Sequence, residues 1–159
     1  MKAIHSRDEK NRLQMGKIID KTLDKDTNYR TCFLGDHIMI CSEVKFEQMI
    51  EDLAEELGSE DLARLVLSGE SIEFELDKQG RFQMPKDYLQ GALEEKECYV
   101  ISVKGKTKDD NYVEIFPKSI YEKLIEEFVE KTSFVENVGL KGQMNKLKGE
   151  VDEERRREN

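Results

Sequence analysis

The 159-residue sequence lacks long hydrophobic runs and lacks any pairing of residues that would point to catalysis. It contains no stretch of 18 apolar residues and no charged-then-apolar leader, so we expect neither a membrane span nor an export signal. Its two histidines, His5 and His37, are isolated, and no serine or cysteine has a visible histidine base. We therefore expect no enzymatic activity and no cofactor.

Cysteine is also scarce. The three cysteines, Cys32, Cys41 and Cys98, stand in apolar, strand-like runs, which is typical of reduced core thiols in a cytosolic protein. Cys32, His37 and Cys41 could be drawn together as a zinc site. A fourth ligand is missing, however, and the spacing matches no standard zinc motif, so we expect no bound metal.

The charge of the chain is unevenly distributed. The net charge is −9, which by itself opposes nucleic-acid binding, because that affinity comes largely from neutralising phosphates. Residues 43–61 carry eight acids and one base, a net −7, whereas residues 1–25 carry seven bases and four acids, a net +3. A protein of this kind can present different faces to different partners.

The most informative feature is a repeat. Asp8–Gly16 and Asp77–Pro85 follow one pattern at an offset of 69 residues, with Asp, Arg, Gln and Met in register. Gly80 in the second copy and Asn11 in the first are residue types that tolerate the positive φ of a tight turn. Polar and apolar residues then alternate as on a half-buried strand. We assign a structural role in the two turns to Asp8, Asn11, Asp77 and Gly80.

The repeat extends beyond the turns. His37–Leu53 aligns with Tyr112–Phe128 at an offset of 75 residues, so each copy has the order strand–turn–strand–hairpin–helix. Neither copy alone is expected to close a core. We predict an α+β fold in which the two repeats form one intertwined, pseudo-two-fold, β-barrel-like domain with flanking helices. The predicted boundaries are 1–68 for the first repeat, 69–132 for the second, and 133–159 for a polar, flexible C-terminal tail.

Hydrophobic periodicity places the main elements of both copies. It predicts hairpins around Gly35-Asp36 and around the charged tip at 104–110. It predicts helices over Val44–Leu57 and Ser59–Leu67, and one that starts at Pro117 and Ser119. The last helix is expected to bury Ile120, Tyr121, Leu124, Ile125 and Phe128. Residues 16–29 are rich in turn formers and receive no regular structure, and residues 85–93 are expected to make one or two helical turns.

These residues resemble the MraZ family, within the wider AbrB/SpoVT-type swapped-hairpin DNA-binding proteins. Asp77–Arg81 followed by Pro85 matches that family's Asp-x-x-Gly-Arg turn and proline, and the first copy matches it with Asn11 and Gly16 substituted. The resemblance implies a homo-oligomeric, ring-forming transcriptional regulator in the bacterial cytoplasm, associated with the nucleoid and bound to promoter DNA. It implies that Arg12 and Arg81 face DNA, with auxiliary phosphate contacts from Lys10, Lys78, Lys17 and Lys86.

The chain also departs from that family. The family usually has a further arginine four residues after the proline, where this chain has Asp20 and Leu89. An alternative role for Arg12 and Arg81 is therefore structural, with each arginine pairing only with the aspartate of its own turn. The corresponding alternative function is a protein-interaction or assembly module that has lost DNA binding and docks a basic partner through the acidic helix at 43–61.

Overall fold

The computed structural model describes residues 2–24, 26–69, 71–85, 95–131 and 141–158. The chain divides into two compact units, Met1–Pro117 and Lys118–Asn159. The strands are β1 Lys2–Ser6, β2 Arg12–Gln14, β3 Tyr29–Phe33, β4 Ile38–Ser42, β5 Ser71–Glu73, β6 Arg81–Gln83, β7 Glu97–Val103 and β8 Tyr112–Pro117. The helices are α1 Gly16–Thr22, α2 Glu43–Leu57, α3 Glu60–Gly69, α4 Lys118–Lys131 and α5 Lys141–Glu158, with a short 3-10 helix at Lys108–Asp110.

The order of strands shows how the two repeats interlock. Six strands form an antiparallel sheet in the order β1-β7-β8-β4-β3-β5, and β2 pairs with β6 in a separate two-stranded ladder. The first strand of each repeat therefore pairs with the hairpin of the other repeat, β1 with β7 and β5 with β3. The α+β class is confirmed. The sheet is open, with β1 and β5 as its outer strands, and the described strands do not close into a barrel.

The first unit has a three-layer core. Successive side chains of a strand point to opposite faces of a sheet. Phe33 and Ile40 belong to the cluster that also contains Leu13 and Phe82 of the ladder. Their neighbours along β3 and β4, Cys32 and Cys41, belong to a second cluster. The remaining members of that second cluster that are fully buried are Phe46, Ile50 and Ala63. The ladder and the α2–α3 pair therefore cover opposite faces of the six-stranded sheet.

Capping residues set the ends of α2. The Ser42 hydroxyl accepts a hydrogen bond from the Lys45 N–H at 3.0 Å, which satisfies a donor that the first helical turn leaves open. Gly58 ends the helix in the left-handed region, with φ 72, and its N–H bonds to the Ala54 carbonyl. Ser59 then starts α3, because its hydroxyl accepts from the Leu62 N–H at 3.1 Å.

Two expectations about helices were wrong. Residues 16–22 form α1, although their turn-rich surroundings predicted no regular structure. A helix this short is stabilised mainly by packing, and α1 buries Ile18 in the first cluster. In α4, Tyr121 is buried as expected, but Leu124 and Phe128 are exposed. A surface helix buries only one stripe, and these two residues lie off that stripe.

The second unit consists, in its described residues, of α4 and α5. Arg155 of α5 donates to the Glu122 carboxylate at 2.5 Å and also pairs with Glu126. Val151 of α5 is fully buried, and the ion pairs of Arg155 join α5 to α4. Of the described helices, none combines the length and the apolar character that crossing a bilayer requires. The helical turns predicted for residues 85–93 lie almost entirely outside the described residues.

Candidate nucleic-acid interface

The two Asp–Arg turns have the same backbone hydrogen bonds. Asp8 Oδ1 accepts from the backbone N–H groups of Lys10 and Arg12, both at 2.9 Å. In the second copy, Asp77 Oδ1 accepts from the N–H groups of Gln79 and Arg81, also both at 2.9 Å. An aspartate that binds backbone amides two and four residues ahead holds the chain in a tight turn.

Each turn requires one residue with positive φ. In the first turn this residue is Asn11, with φ 60, and in the second it is Gly80, with φ 76. Asn11 is the only described residue other than glycine in this region. Asparagine and glycine are the residue types that enter this region most readily. The two turns thus reach one backbone shape with different residues.

Each arginine is anchored by the aspartate of its own turn through a single nitrogen. The distance from Arg12 Nε to Asp8 Oδ2 is 2.8 Å, and from Arg81 Nε to Asp77 Oδ2 it is 2.7 Å. The terminal nitrogens of both guanidinium groups have no hydrogen-bond partner among the residues that the structure describes. The arginine side chains are 22% and 27% exposed. The anchor therefore orients the guanidinium and leaves its terminal edge open to an outside acceptor.

These hydrogen bonds also hold both carboxyl groups in the charged form. The pKa of Asp8 is lowered from 3.8, first by the backbone N–H of Arg12 and further by the Arg12 guanidinium and the Lys10 N–H. The pKa of Asp77 is lowered in the same way by the N–H of Arg81, its guanidinium and the Gln79 N–H. Hydrogen bonds to an ionised carboxylate favour that form. Both carboxylates are therefore ionised at neutral pH.

The β2–β6 ladder brings the two turns together. Its register pairs Arg12 with Gln83, Leu13 with Phe82 and Gln14 with Arg81. Leu13 and Phe82 point into the core, since they are 0% and 3% exposed. Because side chains alternate along a strand, the four polar residues of the ladder share the outer face. We call this the ladder face, and it consists of Arg12, Gln14, Arg81 and Gln83.

Each turn is held in place by the other repeat. Gln14 Nε2 donates to the Gln79 carbonyl and Gln83 Nε2 donates to the Lys10 carbonyl, each at 2.9 Å. The backbone adds a second reciprocal pair. The Met15 N–H donates to Gly80 O at 2.9 Å, and the Met84 N–H donates to Asn11 O at 3.0 Å. These roles of the two glutamines were not predicted, although both glutamines keep their register in the two copies of the repeat.

The backbones of the two turns are in close contact at Gly80. A Cβ atom built on Gly80 would lie 3.1 Å from the Gly16 Cα and 3.1 Å from Gln14 Nε2. The backbones of the two repeats therefore approach each other directly at this point. Gly16 stands where the related pattern has proline. A Cβ on Gly16 would lie 3.5 Å from the Gly80 Cα, an ordinary contact distance, so Gly80 is the position at which this approach requires glycine.

A buried arginine that the sequence analysis did not single out supports the first turn. Arg7 is only 7% exposed. Its Nε donates to the Glu95 carbonyl at 3.1 Å, and its Nη1 donates to Asn11 Oδ1 at 3.3 Å. Arg7 therefore links the positive-φ residue of the first turn to a segment of the second repeat.

The auxiliary lysines are only partly covered by the structure. Lys10 and Lys78 lie in the turns, Lys17 lies in the first turn of α1, and all three are exposed. Lys86, and Leu89 at the position of the missing arginine, lie outside the described residues. Asp20, the other departure from the family pattern, is exposed on α1.

The three residues of the zinc hypothesis do not converge. Cys32 Sγ and Cys41 Sγ are 4.0 Å apart and both thiols are free. The His37 ring instead stacks on Phe116, with 4.6 Å between ring centroids. Within the described ranges, no group of three or more His, Cys, Asp or Glu side chains could hold a metal ion. Burial raises the pKa of Cys98 to about 11, which keeps that thiol protonated.

The exchanged strands of the sheet and the ladder in which both Asp–Arg turns meet define a class of tandem-repeat α+β proteins. Residues 67–138 match the family model described as "MraZ protein, putative antitoxin-like". The chain is also 31% identical over 125 residues to proteins named transcriptional regulator MraZ from Mesomycoplasma hyopneumoniae strains 7448, J and 232. That match covers 76% of this chain and 80% of each relative. The chain belongs to the MraZ family, which confirms the resemblance carried by the two turns.

Proposed function

We propose that the chain is a DNA-binding transcriptional regulator that contacts DNA with the ladder face. The observation that carries the proposal is the pair of anchored, partly exposed arginines. Both lie on the outer face of the ladder, and their terminal nitrogens have no partner within the described residues. The name of the curated relatives, transcriptional regulator MraZ, supports the same function.

The chemistry of the ladder face suits this role. A guanidinium offers two parallel donors that match a guanine edge or a phosphate. Fixing Nε to an aspartate reduces the side-chain freedom that binding would otherwise remove, which favours affinity. The exposed lysines Lys10, Lys17 and Lys78, together with Lys86, add phosphate contacts that set register and orientation.

The placement of acidic residues removes the main objection to DNA binding. Most of the negative charge lies in residues 43–61, which carry a net −7. These residues form α2 and the start of α3, which cover the face of the sheet opposite to the ladder. Repulsion of phosphates by these acids is weakened by distance and by salt, because exposed charges are screened within about 10 Å at 0.1 M salt.

Assembly is part of the proposal. In a homo-oligomer with several copies of the chain in the bacterial cytoplasm, each copy would present one ladder face, and weak single contacts with promoter DNA would add through avidity. The two repeats would act in each copy as one intertwined, pseudo-two-fold unit, since each turn is hydrogen-bonded to the other.

The test is a fluorescence-anisotropy titration with DNA from upstream of the protein's own gene, at low and moderate salt. Arg12→Ala/Arg81→Ala should weaken binding on the order of 100-fold and reduce the steepness of the salt dependence, because two charge-bearing contacts are lost. The charge-matched control is Lys104→Ala/Lys106→Ala, on the exposed tip between β7 and β8. It should bind within about twofold of wild type. Absence of binding at low salt, with an intact oligomer by light scattering, would contradict the proposal.

One observation favours a second candidate, the protein-interaction module. Ala63 of α3 packs on α2, whereas Leu62, Leu65 and Val66 on its other side are exposed, with Leu65 at 72%. An apolar patch beside acidic side chains suits a partner with a basic amphipathic segment. Glu51→Gln/Glu55→Gln/Glu56→Gln separates the two functions. A regulator would keep its DNA affinity in this variant, whereas an adaptor would lose its partner.

A further inference from the structure

Two thiols and two thioethers belong to the second cluster, between the sheet and α2. Cys32 of β3 and Cys41 of β4 are 1% and 0% exposed, and their Sγ atoms are 4.0 Å apart. Met39 of β4 and Met49 of α2 pack against the same cluster and are half-buried. The cluster therefore combines four sulfur-bearing side chains in an apolar environment, on the face of the sheet opposite to the ladder.

The strand register places three of these residues side by side. Cys32 pairs with Met39, and Cys41 pairs with Arg30. Residues that pair across two strands share a face of the sheet, and so do residues two positions apart in one strand. Cys32, Met39 and Cys41 therefore lie on one face, with Cys32 opposite Met39 and diagonal to Cys41.

The spacing of the two thiols suits a bridging metal ion better than a disulfide. A disulfide needs Cα atoms no more than about 7 Å apart, and diagonal residues of an antiparallel pair are about 7–8 Å apart, so the strands would have to move. A bond between a thiolate and a metal is about 2.3 Å long, so two such bonds to sulfurs 4.0 Å apart meet at about 120°. This is the angle of a three-coordinate site, which leaves one position for a thioether.

The available ligand atoms favour a soft ion. Thiolate and thioether sulfurs select soft metals such as Cu(I). Zinc also binds thiolates, but it takes four ligands in a tetrahedron, frequently including an imidazole or a carboxylate. The His37 ring stacks on Phe116, and the Glu43 carboxylate pairs with Arg30 at 2.7 Å, so both of these groups are engaged elsewhere. The pair of thiols and the thioether therefore match a soft monovalent ion and not zinc.

The charges around the thiols decide which of them loses its proton first. The pKa of Cys32 is lowered, first by its hydrogen bond with the Cys41 thiol and then by Arg30, against the effects of burial and of Glu43. The pKa of Cys41 is raised, first by that same hydrogen bond and then by burial, although Lys45 lowers it. Two thiolates with one monovalent ion leave a single negative charge. Because Glu43 pairs with Arg30, Lys45 is the cation that compensates for it.

We propose that Cys32, Cys41 and Met39 form a binding site for a soft monovalent metal ion of the Cu(I) class. The ion forms one bond to each Cys sulfur as the two thiols release their protons to solvent, and its oxidation state does not change. Met39 supplies the thioether as the third ligand, because its flexible side chain can change rotamer to reach the ion. The site is independent of DNA binding, since it lies on the other face of the sheet.

The test is an anaerobic titration of the full chain with Cu(I) in competition with bicinchoninate, a chelator whose colour reports the copper that it holds. Wild type should withdraw one equivalent of Cu(I), and native mass spectrometry should show the gain of one copper and the loss of two protons. Cys32→Ala/Cys41→Ala should abolish uptake. Met39→Leu keeps the side-chain volume and should weaken binding by about tenfold, since losing a ligand costs at least as much as losing one of its supports.

The matched control is Cys98→Ala. Cys98 is also fully buried, but it belongs to the first cluster, so this variant should take up Cu(I) as wild type does. Cys32→Ala alone serves as the test where the double Ala variant does not fold. Absence of uptake by wild type, undiminished uptake by a folded variant without Cys32, or an equal loss in Cys98→Ala would each overturn the site. Displacement of the bound Cu(I) by equimolar Zn(II) would overturn the assignment to a soft ion, and unchanged affinity in Met39→Leu would overturn the role of the thioether.

Discussion

The first and second Asp–Arg turns have the same geometry but rely on different physical causes. In the first turn, Asn11 has a side chain, and the buried Arg7 holds it. In the second turn, Gly80 has none, and its backbone packs directly against Gly16. The residue at the position of Arg7 in the second copy, 69 residues on, is Leu76, an apolar residue that packs against the first cluster. One turn is thus held by a polar anchor and the other by a close backbone contact, so the two should respond differently to substitution.

The largest expected effect is at Gly80. Gly80→Ala places a Cβ at φ 76 and 3.1 Å from the Gly16 Cα, so we expect it to lower the free energy of unfolding by about 2–3 kcal/mol. The paired change, Asn11→Gly, should cost less than about 1 kcal/mol, because glycine accepts the same φ and one side-chain hydrogen bond is lost. Urea unfolding of both variants measures the difference. Equal costs would show that the two turns are held in the same way.

The second effect concerns Arg7. Arg7→Leu makes the first repeat resemble the second, and it removes the donor that serves the Glu95 carbonyl and Asn11 Oδ1. We expect a loss of about 2 kcal/mol in the free energy of unfolding, since two partly buried acceptors lose their donor.

A double-mutant cycle with Asn11→Gly supplies the control for Arg7. Adding Asn11→Gly to Arg7→Leu should not lower the free energy of unfolding further, because the hydrogen bond from Arg7 to Asn11 is already lost. If the costs of the two changes simply add, Arg7 does not act through Asn11.

The third effect should be equal in both repeats. Gln14→Ala and Gln83→Ala each remove one bond between a side-chain amide and a carbonyl of the opposite turn. Each should cost about 1 kcal/mol in the free energy of unfolding and should weaken DNA binding to a similar extent. Thermal unfolding and the anisotropy titration provide the two measurements. A clear difference between the two variants in the free energy of unfolding or in DNA affinity would contradict the equivalence that the reciprocal hydrogen bonds imply.

The smallest effect is on pH dependence. Both turn aspartates have a pKa below 3.8 in the folded protein. A lowered folded-state pKa contributes stability that is fully present above the unfolded-state pKa and is lost as the pH falls through the folded-state pKa. We therefore expect this stabilisation to be constant above pH 5 and to decline only below about pH 3.8. Carboxyl carbon NMR titration should give two similarly lowered values, and a value above 3.8 for either aspartate would contradict the anchoring described here.

Local patterns carried the predictions that succeeded. Alternation indicated the hairpin strands, and the αL cap at Gly58 ended the helix that the sequence predicted. Asp-x-x-Gly-Arg spacing indicated both turns, because an aspartate can bind only the amides that follow it closely. The α+β class follows from these local features. The predicted closure into a barrel was not found, because the sheet is open between its outer strands β1 and β5. Whether two outer strands pair is not encoded in any local pattern.

Contacts between distant residues account for the failures. Helix α1 lacks a strong sequence signal and exists because Ile18 packs in the core. Arg7 gained its role through Glu95, which is 88 residues away. Leu124 has the spacing of a buried residue but lies off the contact stripe of α4. Such outcomes depend on which surfaces meet, and periodicity within one element does not specify its partner.

The amino-acid sequence by itself determined the duplicated turn, the anchoring aspartates, the positive-φ residues and the family, because each depends on residues within a few positions of one another. Only the tertiary structure decided that the two turns are hydrogen-bonded to each other and that both arginines share the ladder face. It also placed the acidic helix on the side of the sheet opposite to the ladder. Pairing of β2 with β6 joins residues 67 to 71 positions apart, and it is stabilised by the burial of Leu13 and Phe82 in one core and by the hydrogen bonds between the two turns.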